Sequence, residues 1–164
     1  MNQNIFSHID HIFMEEALKE SKKAFTQHEV PVGAVLSWKG KIIARAFNQM
    51  ESLKDPSAHA ELLCLREGAR VLGDWRLLGC TLYSTLEPCL MCSGALFLAR
   101  VERVVWGAPD LRHGANGSFL DVFEKKHPTH SILIQGGLFE EEAGGLMQEF
   151  FKRRRYEKSS GKPI

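Results

Sequence analysis

The stretch Thr81-Leu-Tyr-Ser-Thr-Leu-Glu-Pro-Cys-Leu-Met-Cys-Ser-Gly-Ala-Leu-Phe-Leu-Ala-Arg-Val-Glu-Arg-Val-Val-Trp-Gly107 decides the architecture. Thr81 to Leu86 reads as a strand, bounded on its far side by the Glu-Pro pair. Pro88 has the fixed φ suited to opening a helix, which runs to about Ala99. Arg103 to Gly107, with Val104, Val105 and Trp106, is a second short strand. A strand, helix, strand order with these lengths implies a parallel, right-handed crossover, and so an α/β chain whose sheet carries helices on its faces.

Working outward, apolar residues Ile12, Phe13, Ala17, Leu18, Ala24 and Phe25 recur at three- and four-residue steps and predict an amphipathic helix from about Asp10 to Gln27. Residues 31–38 read as a strand, Lys39-Gly40 as a turn, and Lys41 to Phe47 as the antiparallel partner. Asn48 to Ser57 is polar and reads as a loop leading into a helix that runs to about Leu72, where Gly73-Asp74-Trp75 breaks it. Ala108 to Phe119 reads as a long loop, a kind that is often functional. Ser131 to Gln135 reads as a last strand, and Glu140 to about Lys158 as a final helix with Leu146, Met147, Phe150 and Phe151 on its apolar side. The expected organisation is one domain over 1–158 and a disordered tail from Ser159 to Ile164.

Length bounds the same picture, since 164 residues suffice for one domain with a proper core. Hydrophobic and charged fractions of 44% and 25% are those of an ordinary globular protein. No apolar run is long enough to span a bilayer, and Met1 to Asp10 lacks the pattern of a secretory signal, so a cytoplasmic location is expected. A formal net charge of +1 argues against indiscriminate nucleic-acid binding. Positive charge is nonetheless concentrated at Lys152-Arg153-Arg154-Arg155, Lys158 and Lys162, and such a patch can bind phosphate on a nearly neutral chain. Cys64 and Cys80 sit among leucines and read as small core residues.

The chemistry lies in His59-Ala60-Glu61 and Pro88-Cys89-Leu90-Met91-Cys92. An imidazole and two thiolates suit Zn²⁺, and three protein ligands leave a fourth tetrahedral position open, as in catalytic sites. Cys89 and Cys92 are three apart and share one side of a helical turn. His59 and Glu61 are two apart, about 200° from each other at mid-helix, so they share a site only at a helix end. Asp55-Pro56-Ser57 carries residue types that make such an end. Two helix N-termini then converge on one metal, their dipoles favour thiolate, and Glu61 is placed to carry protons.

Taken jointly, these motifs resemble the zinc-dependent nucleoside and nucleobase deaminases. That resemblance implies a hydrolytic deamination in which a zinc-activated water attacks the amine-bearing carbon of a base while Glu61 moves protons. Glu29-Val-Pro-Val-Gly-Ala34, Asn48, Asp55-Pro-Ser-Ala-His-Ala-Glu61, Thr85-Leu-Glu-Pro-Cys89, Gly107-Ala-Pro-Asp110 and Phe150-Phe-Lys-Arg-Arg-Arg155 are similar, more narrowly, to the bacterial tRNA-specific adenosine deaminases. The resemblance covers nearly the whole chain. It implies a three-layer α-β-α fold with a mixed sheet of about five strands, one Zn²⁺ per subunit, a homodimer, and a tRNA anticodon stem-loop, of an arginine tRNA, as substrate. It also implies that Asn48 hydrogen-bonds the flipped purine, that Asp110 lies near a neighbouring sugar, that Phe151 stacks, and that Lys152, Arg154 and Arg155 meet phosphates. An unpaired base in an anticodon loop reaches a buried metal at little unstacking cost, and the basic, aromatic C-terminal helix favours a polymer substrate. The chain departs from familiar members at Leu111-Arg112-His113 and Glu124-Lys125-Lys126, which bears on sequence context rather than on the chemistry. Two other readings stand beside this one: a deaminase of free guanine or cytosine, and a non-catalytic zinc protein that binds RNA or serves as a partner subunit.

Overall fold

The computed structural model describes residues 5–160. Lys162 and the end of the expected tail lie outside the described residues. The elements are α1 (His8–Thr26), β1 (Gly33–Trp38), β2 (Lys41–Phe47), α2 (Met50–Leu53), α3 (Ala60–Leu72), β3 (Cys80–Leu86), α4 (Leu90–Leu98), β4 (Arg103–Ala108), β5 (Leu133–Gly136) and α5 (Glu140–Ser159). The strands form one five-stranded sheet in the order β2-β1-β3-β4-β5. β1 pairs antiparallel with β2 and β3, whereas β3–β4 and β4–β5 are parallel, so the sheet is mixed and the crossover through α4 is present.

Alternation along the strands builds a core on each face. Ala34, Leu36, Leu82 and Val104 pack with Ala60, Cys64 and Leu65 of α3 and Leu96 of α4. Val35, Tyr83 and Val105, one residue along, pack instead with Phe13, Met14 and Ala17 of α1. Ala143 of α5 joins Leu18 and Ala108 beside them, giving the expected three layers. Gly33 lets α1 lie directly on β1, because a Cβ there would stand 2.1 Å from the Ala17 carbonyl oxygen.

Asp10 fastens this layer to the sheet. It completes a capping box with Ser7 at the start of α1. The same carboxylate accepts from Tyr83 Oη at 2.8 Å and from Arg103 Nη1 and Nη2 at 2.6 and 3.0 Å. Burial raises its pKa, but the bonds from Arg103, Ser7 and Tyr83 outweigh that and hold it well below the usual carboxylate range.

Three local expectations are corrected. Pro88 does not open α4, which begins at Leu90 with Cys89 as its N-cap, so the proline lies just ahead of the helix. The segment read as a polar loop contains the single turn α2, closed by Lys54 in a left-handed conformation (φ 51°). The start of α3 is capped not by Asp55 or Ser57 but by His59. Asp55 is occupied within its own turn, where Oδ1 accepts from Ser57 N and Oγ at 2.8 and 2.6 Å. Among the described residues, no helix is long and apolar enough to cross a membrane.

Candidate active site

Parallel strands β3 and β4 end on the same side of the sheet as the start of β1, and α3 and α4 begin there. Crevices at the carboxyl ends of parallel strands are where open α/β sheets bind ligands. His59 is the N-cap of α3 and Cys89 the N-cap of α4, both with extended backbone and neither with a side-chain capping bond. Their side chains turn instead toward each other and toward Cys92, in the first turn of α4.

His59 Nδ1 lies 3.6 Å from Cys89 Sγ and 3.5 Å from Cys92 Sγ. All three donor atoms fall within 4.8 Å of one another. Tetrahedral zinc with Zn–S near 2.3 Å and Zn–N near 2.0–2.1 Å requires N···S edges of about 3.5 Å. The donor set and its spacing therefore fit Zn²⁺, and among the described residues this His, Cys, Cys group is the one cluster that could hold a metal. A hydrogen bond from Cys92, aided by His59, pulls the Cys89 thiol down to about 4 against the effect of burial. The hydrogen bond with Cys89, then burial and Glu61, push Cys92 up. A bound cation would displace the protons that remain on the two thiols.

Glu61, on the first turn of α3, is 3% exposed. Burial pushes its carboxyl up to about 7, against the pull of its own backbone N–H and of His59. It lines a cavity of about 1070 Å³ together with His59, Cys89, Val30, Val32, Asn48, Asp110, Leu111 and Arg112. Phe151, Lys152 and Arg155 of α5 form part of the rim. The fold therefore brings Asn48, Asp110, Phe151, Lys152 and Arg155 to the cavity that holds the metal-type cluster. Arg154 does not line it; its guanidinium lies over the Phe150 ring, 6.0 Å from the centroid.

Two residues that brace segments beside the cavity were not singled out as individuals in the sequence. Glu29 and Glu87 are each 1% exposed, and each carboxylate gathers donors from a distant loop. Glu29 accepts from Asn48 Nδ2 and from the backbone N–H groups of Glu51 and Ser52. Glu87 accepts from the N–H groups of Asp110, Asn116 and Ser118 at 3.1, 2.7 and 3.2 Å, which ties down the Gly- and Asn-containing loop beside the cavity. Gly114 makes room for it, since a Cβ there would meet the Glu87 carboxylate at 2.4 Å. The signal available in sequence was an acidic residue just ahead of a proline, in Glu29-Val30-Pro31 and Glu87-Pro88.

Comparison with known proteins agrees with this geometry. The family model for the cytidine and deoxycytidylate deaminase zinc-binding region matches residues 7–108. The tRNA-specific adenosine deaminase of Bacillus subtilis is 46% identical over 93% of this chain and 95% of its own length. The chloroplastic tRNA(adenine(34)) deaminase of Arabidopsis thaliana is 49% identical over 89% of this chain, which spans only 12% of that longer protein. A chain solved in studies of A-to-I editing by deaminases at the wobble position of transfer RNA superposes with a TM-score of 0.79, at 41% identity, over 82% of this chain and 98% of that one. By its metal-type cluster, its three-layer fold and these likenesses, the chain belongs to the tRNA-specific adenosine deaminases of the cytidine and deoxycytidylate deaminase family.

Proposed function

We propose that this protein converts the wobble adenosine of a tRNA anticodon, that of an arginine tRNA, to inosine by hydrolytic deamination. The observation that carries the reading is the buried Glu61 carboxyl next to a three-donor zinc-type cluster, in a cavity also lined by aromatic and basic residues of α5.

His59, Cys89 and Cys92 hold one Zn²⁺ per subunit. When bound, such an ion lowers the pKa of a coordinated water from about 15.7 toward about 7 and so supplies a nucleophile at neutral pH. Burial raises the Glu61 carboxyl above its ordinary value, the direction that suits a group which must take up a proton and return it during general acid–base catalysis. Glu61 accepts one proton from the attacking water and gives it to the purine ring nitrogen, then takes the second proton from the hydroxyl now on carbon and gives it to the departing amine. The C–N bond to the amino group breaks, a C–O bond forms, and ammonia leaves. Burial of Glu61 keeps bulk water from bypassing this transfer.

Asn48, with both donor and acceptor atoms, hydrogen-bonds the flipped base. Asp110 accepts from a ribose 2′-hydroxyl, Phe151 stacks on a neighbouring base, and Lys152, Arg154 and Arg155 meet the phosphates. Residues 1–158 act as one deaminase domain, in a cytoplasmic homodimer.

Zinc-replete protein incubated with an arginine tRNA carrying adenosine at the wobble position should produce inosine there. Absence of conversion would contradict the proposal. Ammonia release from free guanine, cytosine or adenine should be negligible beside it; comparable turnover of a free base would favour the small-molecule deaminase reading instead. Tight tRNA binding with no product would favour the non-catalytic one.

A further inference from the structure

Asn48 has backbone and side chain pinned by different partners. Its N–H donates to the Val32 carbonyl at 2.9 Å, and its Nδ2 donates to Glu29 Oε2 at 3.3 Å. Glu29 is itself fixed by two backbone donors that cannot rotate away, Ser52 N on Oε1 at 2.7 Å and Glu51 N on Oε2 at 3.1 Å. A carboxylate offers acceptors only, so the amide must meet it with the NH₂ end. Among the described residues, Asn48 Oδ1 is neither hydrogen-bonded nor one of the fully buried unpaired atoms, so it opens to the cavity that Asn48 lines.

We propose that Glu29 is a positioning residue which sets the orientation of the Asn48 carboxamide, so that the cavity is shown one acceptor oxygen and one remaining N–H in a fixed order. Turning the amide by half a revolution would set two acceptor oxygens against each other in a buried site. The order matters because adenine's edge has one itself: an amine donor lies beside its N7 acceptor, so a carboxamide held one way round admits that edge in one direction only, whereas the two acceptors of guanine oppose the amide oxygen either way round. The two backbone contacts explain why the turn α2 follows at once, since the same carboxylate that aims the amide also organises residues 50–53.

This inference rests on the reading of Asn48 as a base-contacting residue, and a double-mutant cycle on the zinc-loaded enzyme separates the two. Asn48→Ala should lower kcat/KM on arginine tRNA by roughly tenfold or more, and Glu29→Gln by a similar factor. Glu29→Gln added to Asn48→Ala should cost several-fold less than it does in the wild type, because the contact to the amide is already gone and only those to Glu51 and Ser52 remain to be weakened. Zinc content should stay at the wild-type level in all three. Unchanged kcat/KM in Asn48→Ala would remove both the base-contact reading and this proposal. A loss in Asn48→Ala that multiplies with a separate loss in Glu29→Gln would overturn the proposal alone. Should Glu29→Gln fail to fold, the wild-type protein still decides. The Asn48 side-chain amide, assigned by its disappearance in Asn48→Ala, should give a displaced NMR pair with one proton protected from exchange. A solvent-like averaged pair would contradict the assignment.

Discussion

Glu61 and Cys89 line the same pocket, yet their replacement should fail in different ways. Glu61→Ala removes the proton carrier and leaves the three metal donors in place, so zinc should be retained while kcat falls by about 10²- to 10⁴-fold. Cys89→Ala removes a donor, and metal content and thermal midpoint should fall together. Metal analysis and differential scanning fluorimetry on the two purified variants check this; wild-type-like turnover in Glu61→Ala would overturn its assigned role. These residues were legible in the sequence because the chemistry requires fixed residue types at short spacings, and helix geometry then dictates that His59 and Glu61 meet only at a helix end. Glu29 and Glu87 were not, because their partners are mostly backbone N–H groups some 20 to 30 positions away. A backbone donor leaves no mark in a sequence.

The crossover from β3 through α4 to β4 was legible for a comparable reason: apolar alternation and segment length point the same way, although Pro88 lies just ahead of α4 rather than opening it. The turn α2 was not, since four residues carry no periodicity and its support comes from the Glu29 carboxylate. The cap of α3 was assigned to the wrong residues because His59 has poor capping chemistry and is placed by its role at the metal cluster rather than by the helix. The loop after β4 should respond to its anchor. Glu87→Gln deletes one acceptor of a charge-assisted set, and roughly a tenfold rise in KM for tRNA with faster proteolysis between residues 110 and 120 is expected. The α1 layer should respond to acid. Asp10 has a folded-state pKa held below its unfolded value, so its contribution is complete above about pH 4 and is lost as pH falls further. Asp10→Asn should cost about 3 kcal/mol near neutrality. Urea midpoints should show that deficit narrowing as pH drops below about 4; a deficit that does not narrow would contradict the role of the Asp10–Arg103 pair.

The molecule as a whole joins a nearly neutral surface to a locally basic rim, and this determines how it should meet a polyanion. Lys152→Ala and Arg155→Ala should each reduce the salt dependence of tRNA affinity, the slope of log K against log salt, by roughly one. Turnover at saturating tRNA should change little, because both are exposed residues of α5 outside the His59, Cys89, Cys92 cluster and Glu61. Arg154→Ala, whose guanidinium packs over Phe150, should alter stability as well as affinity. The central claim remains that the His59, Cys89, Cys92 cluster and Glu61 together deaminate one adenosine of a folded RNA. Nucleotide-resolution mapping of inosine in arginine tRNA, treated in parallel with zinc-replete wild type and with Glu61→Ala, tests it most directly. Inosine confined to the wobble position with the wild type, and nearly absent with the variant, is the predicted result; unmodified tRNA from the wild type, or equal conversion by both proteins, would contradict it.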